Sequence, residues 1–321
     1  MRVQLCIVIA AALTLLNGGT TVAQAPEKIA VGNVAPIAPD WPNFVARDKG
    51  FYQRNGIDPD VTYVGNVANT VQQMVGGSFG VAVSTFDTAI RAIAKGADAT
   101  MIGGMVIKYP YSIMSSADVK TATDMKGKRI ILPFQKDLLT AVWNQWMREH
   151  GVDPATIEQI YDGATPNRFA ALSSKRVQAA LLSQPFDFRA TAEGNHKLLD
   201  IGAYAGNHGF LVLLSRPGWL KDNADAARAF LHSLASAVDW LYDPANRNEA
   251  ITILVRHTKL QQSFAEQTYD YYIRELKPFS RNLAIPDGMV QSTVKALIEI
   301  GDIKEAEVSG KKFVDTSYLP K

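Results

Sequence analysis

The chain has a single cysteine, Cys6, and that scarcity excludes a good deal of chemistry. A cysteine-type zinc site, an iron–sulfur cluster, a CxxC redox pair and an internal disulfide all need more thiols. No sign of charge dominates: 33 Lys and Arg face 31 Asp and Glu, so no global field favours nucleic acid. A membrane-length apolar run is missing too. The N-terminal stretch Leu5 to Leu16 is about a dozen residues, too short to cross a bilayer as a helix. No GxGxxG follows a strand, and Gly76-Gly77-Ser78-Phe79-Gly80 has the wrong spacing. Gly310-Lys311-Lys312 lacks the rest of a phosphate loop, and no GxSxG elbow occurs. The five histidines (His150, His196, His208, His232, His257) are scattered without HxxxH spacing. No metal and no cofactor are therefore expected. His208, within Gly206-Asn207-His208-Gly209, is the one in a cleft-like loop and reads as an exposed loop residue.

What is present is an ordinary globular composition. Of the 321 residues, 47% are apolar and 20% charged, enough for one large domain or two ordinary ones. The N-terminus has the pattern of an export signal. Arg2 precedes the apolar run, Asn17-Gly18-Gly19 breaks it, and Thr21-Val22-Ala23 ends in small residues. Residues 1–23 are expected to be a signal peptide, cleaved to leave Gln24 first and to remove Cys6. An exported protein without an anchor needs an outer membrane to retain it, which points to a periplasm.

Beyond the signal, strand and helix patterns alternate. Strands are predicted at Lys28 to Val34, Val61 to Val64, Val81 to Val83 and Thr100 to Ile107. The pattern restarts at Arg129 to Leu132, near Ile160, at Val177 to Leu182, Leu198 to Ile201 and Phe210 to Leu214. Between them lie helical stripes such as Trp41, Phe44, Val45 and Leu138, Leu139, Val142, Trp143. Past Trp219 the periodicity is helical throughout, with Ser263 and Glu266 spaced as a capping box. Such alternation predicts α/β units around mainly parallel sheets.

Two segments carry a family resemblance. Lys49-Gly50-Phe51-Tyr52-Gln53-Arg54-Asn55-Gly56-Ile57 resembles the "GFF…GL" stretch of periplasmic solute-binding proteins of the nitrate/sulfonate/taurine type, the SsuA/THI5-like (NMT1) group of ABC transporters. Thr123-Asp124-Met125-Lys126-Gly127-Lys128-Arg129-Ile130 resembles their "DLKGK-I" entry to a second lobe. Order and separation match from about Ile29 to Ile303. Gly80 stands where the family often has an acid, and Gln178 where it favours Asp, so the ligand of a named relative does not transfer.

The resemblance implies a two-lobe periplasmic binding protein of type II-like α/β fold with a helical C-terminal portion. Residues 26–108 plus 215–321 would form the first lobe and 109–214 the second. It implies a monomer, not an enzyme, that hands a small-molecule ligand to ABC permease subunits in the inner membrane. Two other outputs share the fold: a sensor docking on a membrane receptor, and a THI5-like pyrimidine-synthesis enzyme, which goes with a cysteine-rich motif missing here. Ligands in open α/β sheets sit beyond the carboxyl ends of strands. The candidates there are Trp41, Ser84, Thr85, Phe86 and Tyr109 in the first lobe, and Phe134, Gln135, Lys136, Gln184 and Phe186 in the second. Lys136, before a strong helix, is the expected anion contact, with Lys108 behind it. Aromatics outnumber cations in this set, which favours a small organic anion, an aromatic carboxylate or a sulfonate, over a bare inorganic one.

Overall fold

A computed structural model describes residues 25–320, and the predicted signal segment 1–23 lies outside them. Ten strands form two five-stranded sheets. The first contains β1 (Glu27–Asn33), β2 (Ile57–Tyr63), β3 (Val81–Thr85), β4 (Thr100–Val106) and β10 (Leu211–Ser215). The second contains β5 (Tyr111–Ser115), β6 (Arg129–Leu132), β7 (Glu158–Tyr161), β8 (Ala179–Ser183) and β9 (His196–Asp200). The spatial orders are β2-β1-β3-β10-β4 and β7-β6-β8-β5-β9. In each sheet one strand, β10 or β5, runs against the other four. The sheets are thus mixed but mainly parallel, and the two-lobe α/β expectation holds.

The two odd strands explain the lobes. β5 follows directly from the first lobe, and β10 returns to it from the second, so the chain crosses twice. β10 pairs with β3 and β4 of the first sheet. Residues 211–214, assigned to the second lobe by the boundary predicted at 214, therefore belong to the first sheet. Apolar Leu-Val-Leu-Leu suits either sheet centre, so the run carries no sign of which sheet it joins. The crossovers are joined by aromatic rings: Phe210 lies 5.2 Å from Tyr109 and 5.6 Å from Tyr111, centroid to centroid.

Local chemistry sets the elements. β2 begins earlier than predicted and includes Pro59, tolerated because β2 is an edge strand whose missing amide costs no ladder bond. β5 was not predicted at all, since Tyr111–Ser115 is short and half polar. The helix Val67–Val75 is capped by Asn66, which accepts from the amides of Ala68 and Asn69. The helix Gln262–Tyr269 starts before Ser263, so the predicted capping box does not form. Helices cover both sheets, and Ala224–Tyr242, Arg247–Thr258 and Met289–Glu299 build the helical C-terminal part. Among the described residues no helix is long and apolar enough to cross a membrane.

Candidate functional site

A cavity of about 400 Å³ opens between the lobes. Its walls are the segments that follow the carboxyl ends of β1, β2, β3, β6 and β7, where helices begin. Asp40, Asn66, Thr85 and Asp137 are N-cap residues of the helices Trp41–Asp48, Val67–Val75, Phe86–Ala94 and Leu138–Glu149, and each lines the cavity. Gly163, just before the helix Thr165–Ser173, lines it too. Parallel strand–helix units point these helix starts at one space from both sides. Each start carries unpaired amides and a partial positive charge. Tyr109, Tyr111, Phe134 and Phe210 supply aromatic wall. The Phe134 ring rests on Gly163, where a Cβ would come within 2.7 Å of it.

Besides Tyr109 and Tyr111, six ionisable side chains line the space, three carboxylic acids (Asp40, Asp87, Asp137) and three bases (Arg91, Lys136, Arg168). Most are already committed. Asp40 is buried and accepts from Asn33 at 2.7 Å, from Tyr63 at 2.8 Å and from Asn43. Burial nonetheless pushes its carboxyl up to about 7, against the pull of those three donors and the charge of Arg47. Arg91 donates to Asp87 at 2.7 Å and to Asp302. Arg168 is buried and gives its guanidinium to the Leu181 carbonyl (2.6 Å), the Asp162 carbonyl (2.8 Å) and the Thr165 hydroxyl (2.9 Å). Asp137 accepts the Leu139 amide at 2.8 Å, and its carboxyl is pushed up to about 6, first by burial and then by the charge of Asp87. Lys136 is exposed and, among the described residues, makes no ion pair.

Four sequence candidates line this cavity: Thr85, Tyr109, Phe134 and Lys136. The rest lie elsewhere. Trp41 is fully buried, edge-on to Tyr269 at 6.2 Å. Ser84 is buried and donates to the Val67 carbonyl at 3.2 Å. Phe86 fills the space over Gly209, where a Cβ would meet its ring at 2.4 Å. Gln135 is exposed and outside the lining. Gln184 donates to Asp187 at 2.7 Å, and Phe186 packs against Phe169 at 5.5 Å. Lys108 donates to the Leu276 carbonyl at 2.8 Å. His208 is half-buried with Nδ1 unpartnered among the described residues, in a separate groove beside Glu149, Tyr204 and Ser292.

Several lining residues were not among the candidates. Asn33, Asp40, Asn66 and Asp137 were detectable as polar residues just past strand ends. Asp87 and Arg91 were detectable as an i, i+4 pair on the helix after β3. Arg168 carried no such sign.

The chain's likenesses fit this geometry. The family model described as NMT1/THI5 like matches residues 41–247. YtlA of Bacillus subtilis (strain 168), named as a binding protein, is 23% identical over 209 residues, and the match covers 62% of each chain. The chain thus spans less than two thirds of that relative's length. Among solved structures, the periplasmic aliphatic sulphonate binding protein SsuA from Escherichia coli superposes with a TM-score of 0.71 at 18% identity, covering 91% of this chain and 96% of its own. The periplasmic nitrate-binding protein NrtA from Synechocystis PCC 6803 gives 0.70 at 16% identity, covering 88% and 83%. At such identities the two structures bear on the fold alone.

Proposed function

The chain belongs to the NMT1/THI5-like family, and from that premise we propose that it is the substrate-binding component of an ABC importer. It captures a small organic anion, a sulfonate, an aromatic carboxylate or a related acid, between its lobes by hinge closure. It works in the periplasm as a monomer, performs no catalytic step, and delivers its ligand to permease subunits in the inner membrane.

One observation carries this reading. Helix starts from both lobes meet Lys136 and four aromatic rings in a single cavity. Amides at helix starts and one free ammonium favour an anion, and the rings favour an organic body. A ligand held from both sides binds the closed form better and so draws the lobes together. SsuA and NrtA, named for sulfonate and nitrate binding, support the ligand class at the level of anions.

A thermal-shift panel of sulfonates, carboxylates, nitrate and pyrimidines tests the ligand class. A true ligand at 100 times its Kd stabilises by about 2.7 kcal/mol. Small-angle scattering with the best hit then tests closure. Compaction without a change in circular dichroism is expected, and an unchanged scattering profile would count against a moving hinge.

A further inference from the structure

A second cavity, of about 480 Å³, lies outside the inter-lobe cavity and shares no lining residue with it. Its floor is aromatic: Tyr269 and Phe279 are buried, with Tyr242 half-buried beside them. Its rim is cationic: Arg274, Lys277 and Arg281 are exposed, and no acid lines the space. The backbone that carries the rim is unusual. Asp270–Leu276 is a π-helical stretch, a form frequent at functional sites. It ends at Lys277, whose left-handed backbone (φ 50°) is uncommon for a residue with a side chain. The next residue, Pro278, accepts the Ile107 amide on its carbonyl at 2.8 Å, where the chain leaves β4 for the second lobe. The cavity therefore sits beside the junction of the lobes, a common place for small-molecule sites.

The rim has hydrogen-bonding capacity to spare. Arg274 donates to Asp270 at 3.2 Å and Arg281 donates to Asp239, each through Nη1. Asp270 also holds Arg247 at 3.6 Å, so one carboxylate serves two guanidiniums. Lys277 pairs with no acid among the described residues. The Arg281 guanidinium lies 5.0 Å from the centre of the Tyr242 ring, which steadies its planar fork. The Tyr242 hydroxyl is spent on the backbone of Phe279, donating to the carbonyl and accepting from the amide, both at 3.0 Å. The floor thus offers ring surface, and the rim offers the charge.

We propose that this cavity is a second small-molecule site, and that its ligand is an aromatic acid. The ring of the acid packs on Tyr269 and Phe279, and its acidic oxygens accept from Lys277 and from the free edge of Arg281. A bare inorganic anion would leave the aromatic floor unused. An uncharged ring would gain nothing from the rim, and a cation would be repelled by it.

Titration calorimetry tests this with 2-naphthoate, its uncharged analogue 2-naphthylmethanol, and acetate. The naphthoate should bind at least tenfold tighter than either of the others. Lys277→Asn, a residue that tolerates the left-handed backbone, should weaken it by about tenfold to a hundredfold, the range for a hydrogen bond to a charged group. Arg281→Gln should do the same. Circular dichroism confirms that each variant is folded. If 2-naphthoate also enters the inter-lobe cavity, the isotherm has two steps; the rim variants should then remove one step and Lys136→Ala the other. Binding that Lys136→Ala abolishes and both rim variants leave intact would place the acid between the lobes and overturn the second site. A wild-type protein that ignores 2-naphthoate overturns it too. Equal affinity for the naphthoate and the alcohol would overturn the assignment of an acid.

Discussion

The indole Nε1–H of Trp41 donates to the carbonyl oxygen of Ala250 at 3.1 Å, across 209 residues of sequence. The bond ties the first helix of the first lobe to the helix Arg247–Thr258, and the ring is fully buried. Trp41 sits one residue past the cavity-lining Asp40, yet it is a structural anchor. Trp41→Ala should cost about 3–5 kcal/mol of stability, as large aromatic truncations in cores do. Trp41→Phe should cost less, about 1 kcal/mol for the lost indole bond, since the Ala250 carbonyl lies within a helix and keeps its helical partner. Urea denaturation measures both. A tryptophan that served the ligand instead would show normal stability and weakened binding.

Lys136 lies immediately before Asp137, the cap of the helix Leu138–Glu149, and lines the cavity without an ion-pair partner among the described residues. Lys136→Ala should weaken binding of an anionic ligand by about 1.5–3 kcal/mol, the range for a hydrogen bond to a charged group. The residue is exposed, so the unfolding free energy should move by no more than about 0.5 kcal/mol. Calorimetry and a denaturation curve on the same preparation separate the two effects. Wild-type affinity in the variant would return Lys136 to the ordinary surface.

Arg168 holds the second lobe's side of the cavity together. Its three bonds join β8, the segment after β7 and the first turn of its own helix. A lysine has one compact ammonium and cannot span three acceptors in those directions. Arg168→Lys should therefore destabilise by about 2–4 kcal/mol, the cost of leaving buried acceptors unpaired. Thermal melting of the ligand-free protein checks this. An unchanged melting temperature would mean that water replaces the lost donors.

How far the sequence reveals the site follows from backbone geometry. Alternating patterns located nine of the ten strands and the two lobes, because burial on both faces writes itself into apolar runs. Strand ends then pointed to loops that wall the cavity, but several of the side chains chosen there do not line it. Ser84 and Thr85 are neighbours on β3, and successive strand residues face opposite ways. Ser84 turns to the Val67 carbonyl and Thr85 to the cavity. Phe86, one residue on, enters a helix and faces the core. Arg91 and Arg168 escaped notice for a different reason: each reaches the cavity from inside a helix by the length of its side chain, which spacing along a strand end cannot register. The segment Gly65, Asn66 and Val67 was passed over although the end of β2, predicted at Val64 and found at Tyr63, leads straight into it.

The buried Asp40 makes stability depend on pH in an uncommon direction. Its carboxyl lies at about 7 in the fold against an ordinary 3.8, chiefly through burial. Between those values the folded protein holds a proton that the unfolded chain has lost. Stability therefore falls as pH rises from about 4 to 7, since the native state binds more protons across that window. Asp137 and Asp187, each raised to about 6 mainly by burial, act in the same sense over a narrower range. Asp118, lowered to about 2 by Lys128 and Ser116, acts in the opposite sense only at more acidic pH. Without ligand, unfolding at pH 5 should need more urea than at pH 7.5, with Asp40 alone contributing on the order of 2 kcal/mol. Asp40→Asn should flatten the slope while keeping the local network. Its Oδ1 can still accept from Asn33 and Asn43, and its Nδ2 can donate to the Tyr63 hydroxyl, which at present donates to Asp40. A wild-type protein whose urea midpoint rises between pH 5 and 7.5 would show that Asp40 is ionised throughout, its three donors outweighing the cost of burial.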